Sequence, residues 1–254
     1  METRSEPLIK LHSLQRYVIW KHLQPVFNNI RVVEFPKSGG TWLCQMLADL
    51  MELPFPRNAA LPFKRVIQHA HHLGPTKYKT IVLIRDGRDV ITSAYFHFLM
   101  SGERKHGYLV KKWRSLLGDQ DFSDVKKTMP LFIEAFHKTF SVGKKNVNWA
   151  SHVNSYETNS QNVLFVKYEN LLDKPILELE RIMKWYEIET EKDIASIVNK
   201  YSFKNQTGRN RGEEQISSFL RKGVAGDWAN NFNEEAIQLC ETYYGRALRR
   251  FGYV

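Results

Sequence analysis

Apolar residues in this chain fall into short β-branched runs separated by longer stretches with helical spacing. Ile30–Phe35 is such a run and predicts a buried strand. From Trp42 to Met51, the residues Leu43, Met46, Leu47, Leu50 and Met51 recur at i, i+3, i+4, i+7 and i+8, one apolar face of a helix. The alternation repeats downstream. Val66 and Ile67 predict a short strand, Lys79–Arg85 a buried strand, and Asn162–Tyr168 another. Between them, Arg88–Met100 puts Val90, Ile91, Ala94, Tyr95 and Phe98 on one helical face, and Leu131–Phe140 and Trp149–Tyr156 also read as helices. Asp173 is expected to cap a helix opening near Pro175, the first-turn position proline favours, with Ile176, Leu179, Ile182, Met183 and Tyr186 inward. A last helix is expected from about Glu234, with Ile237, Cys240, Tyr244, Ala247, Leu248 and Phe251 inward, and Leu8–Trp20 carries a fainter amphipathic pattern. Strands alternating with helices imply an α/β fold: one domain over residues 1–254, with a central, largely parallel sheet flanked by helices. Two stretches lack period. Residues 101–128 are polar and lysine-rich and read as a mobile excursion, with Lys111, Lys112, Lys126 and Lys127 as a solvated face. Residues 199–231 are rich in Gly, Asn, Arg and Lys, including Arg209, Arg211, Arg221 and Lys222.

Composition narrows the partners. An apolar content of 43% can build a sizeable core. The 37 basic residues exceed the 27 acidic ones, giving a formal charge of +10, so an anionic partner is expected: nucleic acid, an acidic membrane or a polyanionic small molecule. Cys44 and Cys240 lie inside helical patterns, which argues against a disulfide framework and fits a reducing, cytoplasmic setting. No apolar run reaches ~18 residues, so no membrane span is expected. The N-terminal stretch is charged and lacks the apolar core of a signal peptide.

The candidate chemistry lies between the first strand and its helix, in Pro36-Lys37-Ser38-Gly39-Gly40-Thr41. Two glycines let the backbone turn with its N–H groups inward, and the helix N-terminus adds unpaired donors and partial positive charge. Lys37 adds a full charge; Ser38 and Thr41 add hydroxyls. The loop suits a terminal phosphate-like anion, and an ordinary Gly-containing turn is the plainer reading. The magnesium-dependent phosphate loop, Gly-x-x-x-x-Gly-Lys-Ser/Thr, does not occur, so no metal of that kind is expected. Arg85 ends a strand and Ser93 lies about two helical turns beyond it, at the sheet edge where ligands bind. In an extended segment His69 and His71 point one way and His72 the other. A zinc site on His69 and His71 lacks a Cys or carboxylate partner at ligand spacing. Asp89 and Glu169 read as caps or ion-pair partners, His152 as structural, and Trp228 as a packing anchor.

Four separated stretches resemble the soluble sulfotransferases. Pro36-Lys37-Ser38-Gly39-Gly40-Thr41-Trp42 resembles their 5′-phosphosulfate loop, and the stretch from Arg85-Asp86-Gly87-Arg88 to Ser93 their 3′-phosphate motif. Asn162 to Leu171 is similar to their strand before Tyr-Glu-Asp-Leu, and Arg221-Lys222-Gly223-Val224-Ala225-Gly226-Asp227-Trp228 to their C-terminal signature. The Trp149-x-x-His152-Val153 spacing agrees as well. The resemblance implies a transferase using 3′-phosphoadenosine 5′-phosphosulfate (PAPS), releasing 3′-phosphoadenosine 5′-phosphate (PAP), with no metal and no covalent intermediate. It places Lys37, Ser38, Gly39, Gly40 and Thr41 on the 5′ end, and Arg85, Ser93, Arg221, Lys222 and Gly223 on the 3′ phosphate. Trp42 would stack on adenine, Tyr168 contact it, and Ser202 with Phe203 close over it. Lys37 would stabilise the leaving phosphate, and His71 or His69 would be the general base. Gly40 stands where the family has threonine. The family's dimer motif is not matched, since Ala229, Asn233, Glu234 and Gln238 occupy its positions, and the oligomeric state stays open. A small-molecule acceptor is expected: a phenol, alcohol, lipid-like molecule or carbohydrate. Phe55, Phe63, Phe96, Phe98, Tyr108 and Trp113 either line its pocket or belong to the core. Rival classes are a nucleotide kinase-like enzyme and a basic nucleic-acid-binding protein.

Overall fold

Four apolar runs pair into the expected sheet. A computed structural model describes residues 6–71, 74, 76–102, 107–142 and 145–254. Strands β1 (Ile30–Glu34), β2 (Ile67–Ala70), β3 (Thr80–Ile84) and β6 (Val163–Lys167) form one sheet in the order β2-β1-β3-β6. β1 runs parallel to both neighbours, with Val32 opposite His69 on one side and Ile81 on the other. β1 and β3 are buried along their whole length, as parallel strands covered on both faces must be. A short antiparallel pair joins β4 (Ser141–Val142) and β5 (Lys145–Asn146).

The described residues also form thirteen α-helices. Ahead of β1 come α1 (Glu6–His22) and α2 (Gln24–Phe27); α3 (Gly40–Leu50) follows it directly. After β3, α4 (Gly87–Tyr95) is capped by Asp86 and runs into a π-helical turn, Phe96–Met100. Helices α5 (Gly107–Leu117), α6 (Val125–Thr139) and α7 (Trp149–Asn154) precede β6, and α8 (Tyr168–Asp173), α9 (Pro175–Tyr186), α10 (Ile194–Lys200) and α11 (Phe203–Thr207) follow it. The chain ends in α12 (Trp228–Asn231) and α13 (Glu234–Arg250).

Several boundaries differ from the sequence reading for identifiable reasons. Asp173 does not cap α9; it ends α8. Pro175 pushes Lys174 out of the helical region, to φ −128° and ψ 57°, which separates two helices where one cap was expected. The 101–128 excursion contains α5 and the start of α6. Trp113 and Leu117, one turn apart, are buried, while exposed Lys111 and Lys112 obscure the period. Residues 103–106 of that stretch lie outside the described residues. Ile176 and Ile237, expected inward, are exposed near the starts of their helices.

Backbone contacts divide the chain into two compact units. The first comprises residues up to 34, 39–83 and 157–202. Its core packs sheet residues Ile30, Val32, Ile81 and Val166 against Leu43 and Leu47 of α3 and Leu179 and Ile182 of α9. The second comprises 35–38, 84–156 and 203–254. Its core is aromatic: Phe98 stacks on Trp113 at 5.2 Å, and Phe136 lies 4.6 Å from Phe140. Phe96, Phe98 and Trp113 are therefore core residues, whereas Phe63 and Tyr108 are exposed. Cys44 and Cys240 are buried free thiols. No helix among the described residues is long and apolar enough to cross a membrane.

Candidate active site

The loop between β1 and α3 bends through two left-handed residues, Lys37 at φ 80° and Gly39 at φ 100°. Lysine rarely adopts that region, at a cost of about 1–3 kcal/mol, and such strain clusters at functional sites. Gly39 meets both conditions for glycine, because a Cβ there would also lie 2.7 Å from the Tyr168 ring. The Ser38 hydroxyl is buried and donates to the Phe35 carbonyl at 2.7 Å, so its hydrogen is spent within the loop. Thr41 lies, half-buried, in the first turn of α3. The Lys37 ammonium sits 4.4 Å above the Phe219 ring, a cation–π contact. Trp42 donates from its indole to the Tyr201 carbonyl at 2.8 Å and meets Tyr168 edge-on at 5.9 Å. Ser202 follows Tyr201 directly, so these aromatic groups and the 201–202 turn adjoin within the first unit.

In the second unit, Arg85 joins three motifs. Its guanidinium donates to the Lys37 carbonyl at 3.3 Å and to the Val224 carbonyl at 3.2 Å, and it faces Asp89 at 3.7 Å. Asp89, fully buried, accepts from the Gly226 N–H at 2.7 Å and the Trp228 N–H at 3.0 Å. It ties α4 to the Gly-Asp-Trp turn; burial pushes its carboxyl up, and Arg85 and the two N–H groups offset this only in part. Arg88 pairs with Asp86 at 2.6 Å and covers the Trp228 ring at 3.9 Å, so Trp228 is packed. The Trp149 indole donates to the Arg85 carbonyl at 3.2 Å, and buried His152 meets Phe35 edge-on at 5.7 Å.

Arg221 pairs with both Asp227 and Glu214 and lies 4.1 Å over Phe96, and Lys222 pairs with Asp227 at 2.6 Å. Burial pushes Asp227 up, but its bonds with Lys222, Arg221 and Asn230 prevail and hold it below the usual carboxylate range. Phe203 packs against the Gly223 backbone, close enough that a Cβ would lie 2.4 Å from its ring. Ser93 sits half-buried on α4. Arg209, also in this basic stretch, is a staple: it donates to the carbonyls of Glu213, Leu220 and Arg221.

The histidine pair belongs to the first unit. His69 lies on β2 and His71 just beyond it; His72 lies outside the described residues. The His71 Nδ1 is 2.9 Å from the Glu34 carbonyl. A carbonyl only accepts, so Nδ1 carries the hydrogen and Nε2 the lone pair. Burial, then the neighbouring His69 charge, lowers His71 to about 4 against the opposing pull of Glu34, leaving it neutral at pH 7. His69 donates from Nε2 to Glu34 Oε1 at 3.1 Å, and the Gly40 N–H donates to Glu34 Oε2 at 2.5 Å. Burial pushes Glu34 up, but the bond from His69, the charges of both imidazoles and the Gly40 N–H outweigh it, so Glu34 stays below the usual carboxylate range.

Glu34 was not among the candidates from sequence, although an acidic residue inside a buried β-branched run was the available signal. It alters two expectations. The Gly40 N–H points to a carboxylate and not toward an incoming anion. Gly40 also accommodates a filled space, since a Cβ there would lie 2.6 Å from both Glu34 Cδ and His69 Nε2, so threonine cannot occupy the position in this arrangement. Glu34 is also the carboxylate that a metal site on the histidines lacked. Glu34, His69 and His71 each offer one ligand atom within 4.8 Å of the others. Both carboxylate oxygens and His71 Nδ1 are nonetheless engaged in hydrogen bonds.

Comparison with known proteins places the chain in a family. A family profile described as "Sulfotransferase domain" matches residues 49–252, beginning after the Lys37–Trp42 loop. Sulfotransferase 1E1 of Rattus norvegicus is 27% identical over 271 residues, covering 87% of this chain and 84% of that protein. Cytosolic sulfotransferase 7 of Arabidopsis thaliana is 22% identical, covering 86% and 78%. Among solved structures, a mouse sulfotransferase complexed with PAP matches at a TM-score of 0.63 with 22% identity, covering 89% of this chain and 88% of that one. A retinol dehydratase in complex with retinol and PAP matches at 0.61 with 20% identity, covering 94% and 86%.

Proposed function

We propose a donor, a mechanism and an acceptor class from the premise that this chain belongs to the sulfotransferase domain family. The donor is PAPS, the product PAP, and the acceptor a hydroxyl or amine on a small molecule. The observation that carries this reading is the Arg85 guanidinium, which bonds the glycine loop at Lys37, 48 residues away, and the C-terminal signature at Val224, 139 residues away. Three stretches that share no sequence neighbourhood thus meet at one fork suited to phosphate.

In this reading Arg85, Ser93, Arg221, Lys222 and Gly223 receive the 3′ phosphate. The two cations now paired with Asp227 stay charged, and the phosphate shares them. Lys37, Ser38, Gly39 and Thr41 hold the 5′ end, with Gly40 supplying space. Trp42, Tyr168, Ser202 and Phe203 surround the adenine. The reaction moves the sulfuryl group in line, as phosphoryl transfer does. The acceptor oxygen forms a new S–O bond, its proton passes to His71 Nε2, and the old S–O pair goes to the 5′ phosphate of PAP. Lys37 faces the charge developing there. His71 is the base in this reading, with the lone pair on its Nε2, and His69 is held to Glu34 through Nε2. No step of this reading is routed through a metal. A reducing, cytoplasmic setting fits two buried free thiols.

The test is transfer of labelled sulfate from PAPS to a panel of phenols, alcohols, amines and sugars, with and without EDTA. Labelled product at equal rates in both arms is the expected result. ATP consumption or tight nucleic-acid binding without transfer would overturn the reading; loss of transfer in EDTA with recovery in Zn²⁺ would turn the Glu34 cluster into a metal site.

A further inference from the structure

We infer that Glu34 and His69 form a positioning dyad for the base: the carboxylate orients His69, pins the glycine loop through the Gly40 N–H, and places negative charge beside His71 as that imidazole takes the acceptor proton. The inference rests on the reading of His71 as the base.

The dyad is a built feature. One carboxylate, of a residue only 4% exposed, serves two elements at once, β2 through His69 and the first turn of α3 through Gly40. Its own backbone carbonyl fixes the His71 tautomer. The absent Cβ at Gly40 leaves the volume that Glu34 and His69 fill. His69 is held from behind as well, because Arg16 of α1 donates to its carbonyl at 2.8 Å. A buried carboxylate this close to an anion-binding loop opposes anion binding. Stabilising an imidazolium is a compensating role that a charge in this place performs.

The groups acting on His71 are Glu34 from β1, His69 from β2 and Arg16 from α1, and the thiol of Cys44 on α3 interacts with Glu34 and Arg16. Glu34 favours the imidazolium; His69 and Arg16 disfavour it. Removing the two dyad members must therefore move His71 in opposite directions. In Glu34→Gln, which keeps size and hydrogen-bonding capacity, His71 should titrate at lower pH. In His69→Asn it should titrate at higher pH. A role confined to folding would shift neither in this paired way.

The experiment follows the His71 imidazole by NMR in uniformly ¹³C-histidine-labelled full-length protein, wild type and both variants, alongside PAP affinity and turnover of PAPS on 2-naphthol. Opposite titration shifts are expected, with PAP affinity kept within about threefold and kcat lowered on the order of ten- to a hundred-fold. A His71 titration unmoved in both variants, or moved the same way in both, overturns the dyad. Opposite shifts with unchanged kcat would show that the electrostatics hold but that His71 is not the base. A wild type that binds no PAP would defeat the donor assignment instead.

Discussion

Replacing Lys37 by alanine should lower kcat by about 10²–10³-fold while changing PAP affinity only a few-fold, the range seen when one donor to a developing oxyanion is removed. PAP lacks the sulfuryl group, so the charge that Lys37 is placed to meet is absent from the product complex and appears only as the S–O bond breaks. The variant keeps what the rest of the loop needs. The Lys37 carbonyl still accepts from Arg85, and Gly39 keeps its left-handed conformation. Alanine at φ 80° carries the same backbone strain as lysine, so the comparison isolates the ammonium. The ammonium lies over Phe219, a contact worth about 0.5–1 kcal/mol that an anion contact can replace. Steady-state turnover with calorimetric PAP binding checks the prediction. A kcat within threefold of wild type would remove Lys37 from the chemical step.

Arg85→Ala should act on binding and stability together. Its side chain is only 12% exposed and bridges the glycine loop, Asp89 and the C-terminal signature. Losing a buried, hydrogen-bonded cation of this kind costs 2–5 kcal/mol at an interface, so PAP affinity should fall by roughly 10²-fold or more. Asp89 would also be left buried without its cation, which predicts a loss of about 3–5 kcal/mol in unfolding free energy. Arg85→Lys separates the two effects, keeping charge opposite Asp89 but losing the fork. It should recover most of the stability and little of the affinity. Urea unfolding and PAP calorimetry on both variants read this out, and unaltered affinity in Arg85→Ala would contradict the assignment of the 3′ phosphate.

The sheet was legible because β1, β3 and β6 each carry an apolar, β-branched run and several helices carry clean stripes. α5 was hidden because lysines interrupt its stripe, and the α8–α9 break because a proline that starts one helix also stops another. At the site, the cations and glycines could be found from sequence because their types and spacing carry the chemistry. Of their carboxylate partners, Asp89 reads as a cap or ion-pair partner and pairs with Arg85, whereas Glu34 and Asp227 go unread, because they act through contacts made only when the chain folds. Gly40 shows the limit most clearly: along the chain it is a lost hydroxyl, and in space it is the room that Glu34 and His69 occupy.

The most direct test of a donor gripped at both ends is calorimetric binding of PAP beside 5′-AMP, which differs only by the 3′ phosphate. With Arg85, Arg221 and Lys222 receiving that group, charge-assisted bonds worth about 1.5–3 kcal/mol each make PAP the tighter ligand by at least about 10²-fold. Equal affinity for the two nucleotides would contradict it.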